Sequence, residues 1–292
     1  KKRTMAQESV SDTFTSFPSK LLDSQIFWLQ TMTSYGSMPQ EGGQEKNDLR
    51  RSVSSHWEVS RDNSYEGLYG ISPKHVENKF IIRVYSLLGC ELVLTALISG
   101  IMTLTPAIRN GIISFVTNRP VTYQVLMLVS LVGTLCFLMC TQKKHPINIF
   151  ALFLFVVVMS VDVGAACAIV YENGAGTMII LSVAITAVIF LSLTAYTWYM
   201  DVDFSYMGAF LFAALCGLIL IGIANIFLQL KFLHTLYCIF GILIFCGYIL
   251  YDTWQIKTKL GADPDSAIMA SIELYLDIVN LFLFILSLLG DR

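Results

Sequence analysis

The stretch AIMASIELYLDIVNLFLFILSLLG, residues 267–290, decides the fold. About 20 apolar residues cross a bilayer as a helix, and this run is long enough. Yet it carries Glu273 and Asp277 well inside its ends. An acid within such a segment costs roughly 2.5–3.5 kcal/mol on insertion scales. Glu273, Asp277 and Asn280 stand about one turn apart on one helix face. A lipid-facing stripe of two acids and an amide would be very costly, so the stripe is expected to face neighbouring helices.

The run before it, GILIFCGYILYDTWQI (241–256), also holds an acid, Asp252. Working outward, seven apolar runs emerge, at roughly 80–104, 122–141, 147–171, 176–199, 206–228, 233–256 and 267–289. Polar breaks separate them: TPAIRNG, TQKKHP, YENGAG, MDVDFS, LQLKFL and KTKLGADPDS. Runs this long and continuous are not the short alternating strands of a membrane barrel. The whole chain of 292 residues is 55% hydrophobic and 14% charged, with a mean hydropathy of +0.65. Soluble domains carry about 25% charged residues. The fold class is an all-α integral membrane protein, a seven-transmembrane helix bundle over 76–292, whose partner is the lipid bilayer.

Residues 1–75 form a polar tail rich in Ser, Gln, Glu and Asp, expected to be disordered. Its one apolar patch, SQIFWLQTM, suits a surface-lying amphipathic helix at 25–32. No secretory signal peptide opens the chain, so the first membrane helix is expected to act as its own insertion signal. Lys74, Lys79, Arg83, Lys143, Lys144, Lys257 and Lys259 fall on the tail's side of the membrane; Arg109, Arg119, Lys231 and Arg292 fall on the other. That bias places the N-terminus in the cytosol. A net charge of −2 with no long basic block argues against nucleic acid. The seven cysteines all lie in apolar runs, without zinc spacing or a disulfide framework, and read as ordinary small buried residues. No cofactor is expected.

Four acids fall inside the runs, Glu91, Asp162, Glu273 and Asp277, with Asp252 nearer the end of its own. Intramembrane acids commonly mark an ion, proton or substrate path. The connection from Lys257 to Ser266 is short, so the last two helices are expected to be antiparallel neighbours. Counted from that connection at about 1.5 Å per residue, Asp252 is level with Glu273 and about one turn from Asp277. Either pairing fits. Two carboxylates in contact away from water do not easily both ionise and tend to share a proton. Such a pair is a latch, bonded when protonated and repelling when both members are charged. A calcium ion can replace the proton, but calcium takes about six to eight oxygens, so Asp252 and Asp277 would hold it only transiently. Asp162, Glu91 and Asn280 are accessory candidates.

GILIFCGYILYDTWQI and ELYLDIVNLFLFILSLLG resemble the last two helices of the Bax-inhibitor/lifeguard family. KFIIRVYSLLGCEL and LTAYTWYMDVDFSYMG are similar to the first helix and the fourth–fifth junction of its lifeguard branch. The resemblance covers residues from about 76 onward. It implies six helices around a central seventh, an aspartate pair at Asp252 and Asp277 that governs a pH-sensitive calcium leak, and modulation of cell death. It also implies an endoplasmic reticulum or Golgi membrane, with calcium, protons and cell-death regulatory membrane proteins as partners. A basic residue late in the second helix accompanies the pair in some bacterial relatives; here Cys140 stands near that place, with Lys143 and Lys144 farther out.

The alternative is a non-conducting scaffold that binds cell-death regulators. An intramembrane aspartyl protease also uses two membrane aspartates, and Tyr251-Asp252 fits one half of its pattern. The other half needs a Gly-x-Gly motif that LYLD at 274–277 lacks, so no enzyme is expected. Helix seven has no proline for a coupled receptor and no lysine for retinal.

Overall fold

The structure, a computed structural model, describes residues 73–141, 147–200, 202–228, 230–258 and 266–290. The expected disordered tail, its surface helix at 25–32, Lys143, Lys144, Lys259 and Arg292 lie outside the described residues. The described residues form eight helices in order: α1 (Pro73–Leu104), α2 (Pro106–Asn118), α3 (Pro120–Thr141), α4 (Ile147–Glu172), α5 (Gly176–Tyr199), α6 (Met207–Leu228), α7 (Lys231–Thr258) and α8 (Ser266–Gly290). All but α2 are long and apolar enough to cross a membrane, seven among the described residues. The described residues contain no strand.

Proline punctuates the first three helices. Pro106 occupies the first turn of α2, where its missing N–H costs nothing, and Thr105 before it is extended at φ −84°, ψ 110°. α4 closes on Gly174, whose φ of 80° favours a residue without Cβ. There the Gly174 N–H donates to Tyr171 O at 3.0 Å and the Ala175 N–H to Val170 O at 3.1 Å, a paired cap that turns the chain directly into α5.

α2 departs from the expectation of a plain break after the first run. Its thirteen residues span only about 20 Å, too short to cross. Val116 is buried, whereas Ile108 and Phe115 are exposed, which suits a helix lying at the membrane surface. Arg109 fastens it in place. The guanidinium Nε pairs with Glu172 at 3.0 Å, Nη1 donates to Thr103 O at 3.0 Å, and the group lies 4.9 Å from the Tyr171 ring centroid.

α8 is the central helix. Its most apolar stretch is 83% buried, against 11% for α5. It packs directly on α1, α4, α5 and α7, while α3 packs mainly on α4 and α6 mainly on α7. Exposed Val93, Leu97, Ile180, Val188 and Phe210 cover the outside of the ring, where lipid replaces water.

An aromatic stack ties α7 to α8: Phe284 lies 5.3 Å from Tyr237 and 5.6 Å from Phe245 between ring centroids. Gly241 makes this possible, because a Cβ there would run into the Phe284 ring. Gly241→Leu is therefore expected to cost roughly 1–3 kcal/mol through overpacking. Thermal unfolding in detergent would show it as a lowered midpoint; an unchanged midpoint would mean that the helices do not meet there.

Candidate functional site

The polar stripe on α8 faces α7. Asp277 is 1% exposed and Asp252, on α7, is 8% exposed. The two carboxyls face each other, with Glu273 as the next acid toward Asp277. Of the two pairings that sequence leaves open, the structure puts Asp277 against Asp252, with Glu273 beside it. Apart from the Asp252 carboxyl, no hydrogen-bonding group reaches either oxygen of Asp277, whereas Oδ1 of Asp252 accepts from Gln255 Nε2 at 3.4 Å. Ionised carboxyls can only accept, so a bond between these two requires a proton on one of them.

Aromatic hydroxyls line this pair. Tyr248, one turn before Asp252, faces both aspartates, and Tyr251 faces Asp252 and Glu273. Tyr248 Oη is buried without a hydrogen-bond partner. Asn280 is fully buried; its Nδ2 donates to Leu276 O at 2.8 Å, and its Oδ1 receives no donor. The stripe thus runs from Glu273 through Asp277 to Asn280 along the α7-facing side of α8. Its acids can hold a proton between them or offer oxygens to a passing cation. Among the described residues, no three His, Cys, Asp or Glu side chains converge on one metal-sized site.

The C-terminal end of α7 is anchored beside the pair. Lys257 Nζ donates to the carbonyls of Thr197 at 3.3 Å, Trp198 at 3.4 Å and Met200 at 3.2 Å, where α5 ends. A cation at a helix C-terminus meets both the open carbonyls and the negative end of the dipole. Trp198 Nε1 in turn donates to Tyr85 Oη of α1 at 3.2 Å. Lys257→Met should cost about 1 kcal/mol, small because the ammonium is only partly buried. Chemical denaturation would read that loss, and no loss would mean that solvent already satisfies these carbonyls.

Two accessory acids lie elsewhere. Glu91 of α1 meets Ser271, and Asp162 of α4 meets Tyr123 of α3. Ser271 is two residues from Glu273, about 200° around the helix, so Glu91 approaches α8 from the side opposite Asp252. Sequence reading missed the hydroxyls that accompany them, Thr95, Ser160 and Tyr275. The four-residue spacing of Glu91, Thr95, Ser99 and Thr103 on α1 was the available signal. Cys140, next to last in α3, has an exposed side chain.

A polytopic helical bundle with acids buried against its central helix is the class that this geometry defines. The family described as Inhibitor of apoptosis-promoting Bax1 matches residues 77–292. The Golgi anti-apoptotic protein of Vaccinia virus (strain Lister) is 34% identical over 238 residues, covering 82% of this chain and 96% of the viral protein. Protein lifeguard 4 of Mus musculus is 33% identical over 231 residues, 79% of this chain and 92% of its own. Bax inhibitor 1 of Schizosaccharomyces pombe is 35% identical over 218 residues, 74% and 78% respectively. The chain belongs to the Bax-inhibitor/lifeguard family.

Proposed function

We propose that this protein is a pH-sensitive calcium leak channel of an endoplasmic reticulum or Golgi membrane, with its tail in the cytosol. The Asp252–Asp277 pair is its gate, and through calcium homeostasis the protein modulates cell death in the anti-apoptotic direction. One observation carries the reading: Asp277, 1% exposed on the central helix, meets no hydrogen-bonding group except a second buried carboxyl, that of Asp252. A permanent structural role would favour satisfied oxygens, because an unmet buried carboxylate is among the costliest groups in a fold. A gate needs a group whose partner can change. Here the partner is a proton, a calcium ion or mutual repulsion.

Calcium suits the oxygen-only chemistry of Asp252, Asp277 and Glu273, and so few carboxyls bind it weakly enough to let it pass. The cell-death part is supported by the relatives named as an anti-apoptotic protein and a Bax inhibitor. The protein is read as a regulator and not as an enzyme.

In cells, expression is expected to lower the store calcium released by ionophore and to raise survival under store-depleting stress. Combining Asp252→Asn with Asp277→Asn should abolish both effects. If the double variant protects as well as the wild type while store calcium never changes, the leak reading fails and a scaffold role takes its place.

A further inference from the structure

The opposite side of α8 carries a second buried polar seam, shared with α1 and α4. Glu91 is 4% exposed; its Oε1 accepts from Ser271 Oγ at 2.9 Å, and its Oε2 is buried with no donor. Asp162 is fully buried; its Oδ1 accepts from Tyr123 Oη at 3.2 Å, and its Oδ2 likewise has no donor. Neither acid has a lysine or arginine partner among the described residues. The titratable groups that face them are Tyr123 from α3 and Tyr275 from α8.

Hydroxyls fill the space between these acids. Tyr275 Oη lies 2.8 Å from Thr95 Oγ1, which also donates to Glu91 O at 2.9 Å, and Ser160 Oγ, which donates to Val156 O at 2.6 Å, lies 3.2 Å from the same Thr95 oxygen. The Tyr275 hydroxyl faces both Glu91 and Asp162. On α1 the row continues outward by whole turns: Ser99 Oγ donates to Thr95 O at 2.6 Å, and Thr103 Oγ1 to Ser99 O at 2.7 Å. It ends where Arg109 binds Thr103 O. Inward, Ser271 lies little more than one turn from the start of α8. Polar atoms therefore line this seam from near one end of the bundle to the other.

We propose that the α1/α4/α8 seam is a proton-conducting path in which Glu91 and Asp162 hold the proton and the hydroxyls of Thr95, Ser160 and Tyr275 relay it. A buried carboxyl with one open oxygen and no counter-charge is suited to taking up and releasing a proton, not to holding a fixed charge. Each hydroxyl both donates and accepts, so it receives a proton on one side as it gives one up on the other. The net change is one proton moved across the membrane, driven by its own gradient. The seam lies on the far side of α8 from Asp252, and its acids are not those of the calcium gate.

The test uses the full-length protein in potassium-loaded liposomes, with a pH-sensitive dye trapped inside and valinomycin setting the potential. The wild type should move protons faster than empty liposomes. Glu91→Gln and Asp162→Asn should each slow that flux several-fold, while Asp277→Asn leaves it unchanged. Tyr275→Phe removes only a hydroxyl and should also slow it, which guards against an acid variant that fails to fold. Three results would overturn the proposal: no flux above empty liposomes, wild-type flux in Tyr275→Phe and every folded acid variant, or a loss confined to Asp277→Asn.

Discussion

Asp277→Asn is expected to lock the calcium flux at its low-pH level, removing at least about tenfold of the flux seen above neutral pH. The sign follows from the geometry. With a proton between them, Asp252 and Asp277 bond and hold α7 against α8; with both charged, they repel and the helices part. Wild-type flux should therefore rise with pH. An amide at position 277 donates an N–H to the Asp252 carboxylate at any pH and so imitates the shared proton permanently. A hydrogen bond to a charged group contributes roughly 1.5–3 kcal/mol, which corresponds to about tenfold or more in the closed-to-open ratio. Asp277→Ala should act the opposite way, because it removes both the bond and the closure it provides. Opposed effects of Asn and Ala would be difficult to produce by a general folding defect. If both substitutions shift the flux in the same direction, the latch is wrong even if the channel is real.

The second large effect concerns the stack that holds α7 on α8. Phe284 is fully buried, with the Tyr237 and Phe245 rings on it and Gly241 giving way beneath. Phe284→Ala should destabilise the bundle by about 3 kcal/mol, the lower end for loss of a buried aromatic ring. The lower end applies because lipid offers a separated helix an apolar setting, leaving mainly lost packing to count. Unfolding in mixed micelles reads this directly. A loss near zero would mean that α7 and α8 are held by their polar groups alone.

Much of the fold was legible because membrane crossing imposes length and apolarity on each helix separately. The run read as 147–171 is α4 at Ile147–Glu172, and that at 267–289 is α8 at Ser266–Gly290. α2 escaped because Arg109, Asn110 and Asn118 interrupt a stretch of 13 residues that is too short to cross a membrane. The stripe of Glu273, Asp277 and Asn280 was also legible, since acids and amides stand out in an apolar run. Ser271 and Tyr275 did not stand out, because hydroxyls cost little there and leave the run apolar overall. Which acid meets which was beyond one sequence. Glu91 and Asp252 are both lone acids in apolar runs, yet they approach α8 from opposite sides, and only the packing of α1 and α7 around it separates them.

This division gives the molecule two separate lines of buried acid on one central helix. The first is built from α7 and α8 and bears the calcium reading; the second joins α1, α4 and α8 and bears the proton path. Their variants differ in what they should change, so failure of one leaves the other standing. The central claim is the first. Calcium flux through purified protein in liposomes, measured between about pH 6 and 8 for the wild type, Asp252→Asn and Asp277→Asn, tests it most directly. The account predicts a flux that rises with pH in the wild type and stays flat and low in both variants. Wild-type liposomes no leakier to calcium than empty ones across that range would contradict it.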